Sequence, residues 1–128
     1  MLKKKILIVD DEVELVKAIE IRFKASGYDV LIAHNGIEAL DKARVEKPDL
    51  IILDLMLPKM DGFKVCGMLK TDVRYKHIPI IMCTARVQDS DRKIGLGLGA
   101  DAYVDKPFQH ELVLAKVKEL LKEYELPS

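Results

Sequence analysis

The sequence predicts an open, doubly wound α/β fold, and three observations carry that reading. Three short apolar runs, Ile6-Leu7-Ile8-Val9, Leu50-Ile51-Ile52-Leu53 and Ile78-Pro79-Ile80-Ile81-Met82, are continuous rather than alternating, as in strands covered on both faces of a parallel sheet. Two weaker strand candidates, Tyr28 to Ala33 and Asp101 to Val104, fall between stretches whose apolar spacing is helical. Strand and helix therefore alternate five times, and right-handed crossovers turn such a chain into one parallel sheet with helices on both faces.

Lys3-Lys4-Lys5 reads as a solvated approach to the first strand. In the helical stretch after Asp11, Leu15, Val16, Ile19 and Phe23 line one face, while Glu14, Lys17, Glu20 and Lys24 point to solvent; Gly27 is a helix stop. The third apolar run ends in Asp54, and Thr84 follows the fourth. Gly95, Gly97 and Gly99 then fall in a stretch read as a weak, polar helix, because each interior glycine costs on the order of 1 kcal/mol relative to alanine. They precede the fifth strand and lack a Gly-Lys-Ser/Thr element, which rejects a nucleotide-binding loop. The last helix presents Val113, Val117, Leu120, Leu121 and Tyr124 at spacings of three and four against Lys116, Lys118, Glu119 and Lys122.

The 128 residues, 49% hydrophobic and 33% charged, supply one core and one domain. The 21 basic and 21 acidic side chains cancel, so no broad positive field exists to gather nucleic acid or anionic lipid. Ile6 to Val9 is too short an apolar run for a signal peptide or membrane span, and the expected location is cytoplasmic. Cys66 and Cys83 read as reduced, packed thiols; His34, His77 and His110 are scattered, read as surface or loop residues, and form no metal cluster.

In open sheets of this kind ligands bind beyond the carboxyl ends of the strands. The residues there are Asp10, Asp11 and Glu12, then Asp54, Thr84, Asp105 and Lys106. Three aspartates brought together repel one another unless a cation intervenes, and all-oxygen chemistry points to magnesium. Such a carboxylate can attack phosphorus and form an acyl phosphate. Lys106 and the Thr84 hydroxyl have the chemistry to neutralise and bind the transferred oxygens. Capping of the first helix accounts for one aspartate after the first strand, but not for its neighbour or for Asp54.

The motifs Ile8-Val9-Asp10-Asp11-Glu12, Leu53-Asp54-Leu55-Met56-Leu57-Pro58 with Met60-Asp61-Gly62, Cys83-Thr84-Ala85 and Gly99 to Phe108 occur in this order along essentially the whole chain. Together they resemble the receiver domain of two-component response regulators. The resemblance implies a flavodoxin-like (βα)5 three-layer sandwich with strand order 2-1-3-4-5, and a receiver domain over 1–123 with a tail at 124–128. It implies Asp54 as phosphoacceptor, magnesium held by Asp10, Asp11, Asp54 and the Met56 carbonyl, and Thr84 and Lys106 on the phosphoryl group. Thr84 and Tyr103 would then switch an output surface; its weakening glycines, not the resemblance, make the glycine-bearing helix the expected mobile part of that surface. It also implies a cis Lys106-Pro107 peptide, and phosphoryl lifetimes influenced by Met56 and Arg86.

The expected partners are a histidine kinase or phosphotransfer protein, and downstream a protein target or an output domain beyond this chain, with phosphorylation-dependent homodimerisation a further option. No direct nucleic-acid or membrane binding is expected. The domain is expected to be no metabolic enzyme, yet to catalyse its own phosphorylation and slow hydrolysis. Three alternatives stay open at this stage. A flavin protein of the same architecture is disfavoured by the absence of tryptophan and by the acidic edge. An aspartyl phosphohydrolase would want a carboxylate at position 56, which is methionine. A pseudo-receiver that only binds partners would typically lack one of the acidic or lysine positions.

Overall fold

The computed structural model describes residues 3–84, 94, 97–106 and 109–122, with Thr84 described by its backbone. Five strands, β1 (Lys5–Val9), β2 (Asp29–Ala33), β3 (Leu50–Asp54), β4 (Ile80–Thr84) and β5 (Ala102–Asp105), form one parallel sheet in the order β2-β1-β3-β4-β5. Among the described residues four helices flank it: α1 (Val13–Ala25), α2 (Gly36–Glu46), α3 (Gly62–Lys70) and α4 (His110–Leu120). The expected doubly wound sandwich and strand order are what the chain forms.

The continuous apolar runs follow from two separate cores. Side chains of a strand alternate between faces, and here both faces are covered. Leu7, Val9, Ile51, Leu53, Ile80 and Met82 pack under α2 and α3 against Ala39, Leu40, Val65 and Leu69. Ile6, Ile8, Leu50, Ile52 and Ile81 pack on the other side against Val16, Ile19 and Phe23 of α1 and Val113 and Val117 of α4. The predicted helical stripes of α1 and α4 are thus buried, with Leu15, Leu120 and Leu121 at their margins; Tyr124 lies outside the described residues.

The fourth strand begins two residues later than its apolar run predicts. Ile78 is spent on the preceding turn, where its N–H donates to the Tyr75 carbonyl, and Pro79 has no N–H to give a ladder. The fifth likewise starts at Ala102, because the Asp101 carboxylate accepts from Ile80 N–H at 2.8 Å and so ties β4 to the chain entering β5. The order of strands reverses direction between β1 and β3, whose C-terminal ends lie side by side. Val9 pairs with Leu53, so Asp10 and Asp54 emerge next to each other at the place where such folds bind ligands.

Candidate functional site

Asp10 and Asp54 are the buried charged residues of the described chain, at 4% and 5% exposure. An isolated buried carboxylate is costly, and each has identifiable support. Asp10 Oδ1 accepts the Glu12 N–H at 2.9 Å, folding the β1–α1 connection into a tight turn. Asp54 Oδ1 accepts the Met56 N–H at 3.2 Å. Their other oxygens share the Lys106 ammonium, which reaches across from the end of β5 to Asp10 Oδ2 at 2.5 Å and Asp54 Oδ2 at 3.2 Å.

Glu12 completes the group, 3.3 Å from the same ammonium, and carboxylate oxygens of Asp10, Glu12 and Asp54 lie within 4.8 Å of one another. Here the arrangement differs from the sequence reading, which put Asp11 in the cluster. The Asp10–Glu12 turn brings positions 10 and 12 to the same side, and Asp11 is exposed. Glu12 also takes the N-cap position of α1 without a side-chain cap, so the acids at the head of this helix are not explained by capping.

Electrostatics follow from the crowding. Burial, together with the Asp10 charge, raises the Asp54 carboxyl above the ordinary carboxylate range, although Lys106 pulls the other way. Burial by itself would lower the Lys106 ammonium, but Asp10 and Asp54 outweigh it and hold the group firmly charged. Beneath the cup lies Cys83, whose thiol is pushed up to about 12 by burial. It is an inert wall, as the sequence suggested.

The loop after β3 is compact because of one glycine. Gly62 N–H donates to Leu55 O at 2.8 Å, and a Cβ on Gly62 would stand 2.2 Å from the Asp54 carbonyl oxygen, so only glycine lets α3 start this close to the acid-bearing strand. Met56 is exposed, with its backbone beside Asp54. The backbone of Thr84 closes β4 in register with Asp105, and Tyr103 is partly buried against the α2–α3 core. The Thr84 side chain, the Lys106-Pro107 peptide, Arg86, Gly95 and the tail at 124–128 lie outside what is described.

Two contacts at this edge went unread in the sequence. His34, read as a surface or loop residue, is exposed yet has its ring nitrogen Nδ1 3.1 Å from the Asp10 carbonyl oxygen, and Gly36 packs against the loop after β3. The local signal available was Asn35-Gly36 with Glu38 three residues after Asn35, a helix start; its tertiary neighbours carry no sequence mark.

Three carboxylates, two of them buried, around one ammonium make a cup suited to a hard cation or to phosphoryl oxygens, and offer no soft ligand. Among the described residues, no helix is long and apolar enough to cross a membrane.

Comparison with known proteins agrees with this chemistry. The family described as the response regulator receiver domain matches residues 6–118. The chain is 48% identical over 99% of its length to the alkaline phosphatase synthesis transcriptional regulatory protein PhoP of Bacillus subtilis, and 45% identical over 98% to a probable transcriptional regulator, ycf27, of Cyanophora paradoxa. It spans about half the length of these curated relatives, 52% of each. Among solved structures, a putative response regulator from Chloroflexus aurantiacus superposes with a TM-score of 0.89 at 33% identity, covering 95% of this chain and 100% of that one. A CheY-like receiver domain protein from Methanospirillum hungatei gives 0.90 at 32%, covering 95% and 96%. The match is to a signalling domain, and it overturns the expectation of an enzyme-like unit that drives its own phosphorylation and hydrolysis.

Proposed function

Because the chain belongs to the response regulator receiver domain family, we propose that Asp54 is the side chain through which it receives its signal, accepting a phosphoryl group from a histidine kinase or phosphotransfer protein. The observation that carries this reading is the meeting of Asp10, Glu12 and Asp54 around Lys106 at the carboxyl edge of the sheet, with Asp10 and Asp54 both buried.

In the proposed step an Asp54 carboxylate oxygen attacks the donor phosphorus. The bond from phosphorus to the donor breaks, the donor leaves with the electron pair, and an acyl phosphate remains on Asp54. Lys106 keeps its proton throughout and moves its charge from the free carboxylates to the phosphoryl oxygens. The Thr84 hydroxyl donates a hydrogen bond to another of these oxygens. Asp10, Asp11, Asp54 and the Met56 carbonyl are the groups that would hold magnesium, joined by Glu12; the bound cation would supply charge neutralisation for the transferring oxygens. The all-oxygen donor set fits that ion.

The response would pass through Thr84 and Tyr103 to the surface around β5 and α4, a local charge event biasing a two-state element. The receiver unit is proposed to run over 1–123, with 124–128 a tail. Its output is proposed to reach a partner protein, a second copy, or a domain outside this chain; control of transcription by a longer protein is proposed from the names of the relatives.

Incubation with an autophosphorylated histidine kinase or a phosphorylated phosphotransfer protein and magnesium, followed by intact mass, tests the reading. The expected result is one added phosphoryl group on the wild type and none on Asp54→Asn. Equal addition to both proteins would overturn it.

A further inference from the structure

Two loops supply the acidic cup: the β1–α1 turn, with Asp10 and Glu12, and the end of β3, with Asp54 and the loop 55–61. A third segment, the β2–α2 junction, lies against both. The Asp10 N–H donates to Ala33 O at 3.1 Å, and the His34 ring contacts the Asp10 carbonyl through Nδ1, also at 3.1 Å. A carbonyl can only accept, so the ring carries a proton on Nδ1. Both backbone polar groups of Asp10 are thereby held by consecutive residues of the junction.

Two residues further on the junction meets the other loop. The Gly36 N–H points at Pro58 O at 3.4 Å, and Gly36 is buried. A Cβ at Gly36 would stand 2.2 Å from the Met60 carbonyl oxygen and 2.7 Å from Met60 Cβ, so the loop after Asp54 rests on the bare backbone of this glycine. The obstructing atoms are mostly backbone, and no side-chain rotation relieves the overlap.

The junction is itself braced. The Asn35 side chain accepts the Glu38 N–H at 2.9 Å, the Glu38 carboxylate accepts the His34 N–H at 3.3 Å, and Lys42 pairs with Glu38 at 3.2 Å. A short, reciprocally capped corner thus bridges the two acid-bearing loops without contributing a group to the cup.

We propose that His34 and Gly36 are positioning residues: the junction sets the spacing of the two loops and thereby the affinity of the carboxylate cup for a divalent cation. The inference rests on the reading of that cup as a magnesium site. A small, rigid octahedral ion tolerates little displacement of its ligands, and supporting residues outside the ligand set commonly carry large effects on its binding. Gly36→Ala must move the Met60 backbone by roughly 1 Å to restore ordinary contact distances, and His34→Ala frees the Asp10 carbonyl.

The test measures manganese binding by electron paramagnetic resonance and magnesium binding by competition, alongside urea midpoints, on the purified chain. Gly36→Ala is expected to weaken magnesium binding about tenfold. His34→Ala is expected to weaken it severalfold, and His34→Asn, which returns an N–H near the Nδ1 position, to restore most of the loss. Leu40→Ala, a core truncation on the same helix, should lower the urea midpoint and leave magnesium affinity unchanged. Wild-type affinity in both Gly36→Ala and His34→Ala, or an equal loss in Leu40→Ala, would overturn the proposal. Should Gly36→Ala not fold, the two His34 variants decide by the same criterion. A wild-type protein that binds neither ion overturns the magnesium reading itself, and the inference with it.

Discussion

The Lys106 ammonium sits 2.5 Å from Asp10 Oδ2, with both side chains less than one tenth exposed, although 96 positions separate them in sequence. The same ammonium serves Asp54 and Glu12, so one internal cation offsets part of the charge of three carboxylates. Removing one partner of a buried ion pair leaves the other uncompensated, a loss of about 3 kcal/mol. Lys106→Met is therefore expected to lower the unfolding free energy by that order without divalent ions, to recover much of it on adding magnesium, and to bind magnesium more tightly than the wild type. Urea titrations with and without the ion check all three.

Burial and the Asp10 charge raise the Asp54 carboxyl above its unfolded value. The stability tied to this group is fully present below the ordinary carboxylate range and is lost as pH rises through the raised folded value. At neutral pH the ionised Asp54 is thus a net strain on the cation-free fold. Asp54→Asn should melt a few degrees higher than the wild type at pH 7, with the gap closing as pH falls below the ordinary carboxylate range; calorimetry across that window reads it.

Charge counts for more where water is excluded. Asp10 is buried, whereas the Glu12 side chain is 60% exposed, and exposed ion pairs contribute little. Asp10→Asn is expected to reduce magnesium affinity far more than Glu12→Gln in parallel titrations. Equal effects would mean that the two acids share the ion alike.

Burial pushes the thiols of Cys83 and Cys66 up to about 12 and about 11. At pH 8 neither carries appreciable thiolate in the folded protein, and neither is accessible. Ellman's reagent should label no thiol in the native chain and two after unfolding in urea.

Much of the site is legible in the sequence because the apolar runs stop where the chemistry begins. A parallel strand covered on both faces reads as an unbroken hydrophobic segment, so Asp10 and Asp54 stand out as the first charges after the apolar runs of β1 and β3. The grouping of Glu12 instead of Asp11 depends on a turn closed by a side-chain hydrogen bond, a local geometry that an Asp-Asp-Glu string does not specify. The later start of β4 turns on Ile78 being used by a turn and Pro79 having no N–H. His34 and Gly36 were invisible for a different reason: their meaning lies in contacts across 24 positions, to Asp10 and to Met60.

The central claim is that Asp54, and no other acid of the cup, becomes the acyl phosphate. Phosphorylated protein reduced with borohydride converts an aspartyl phosphate to homoserine, and peptide mass spectrometry then locates the change. The account predicts homoserine at position 54 alone. Conversion at position 10 or 11, or phosphate retained on a histidine with position 54 unmodified, would contradict it.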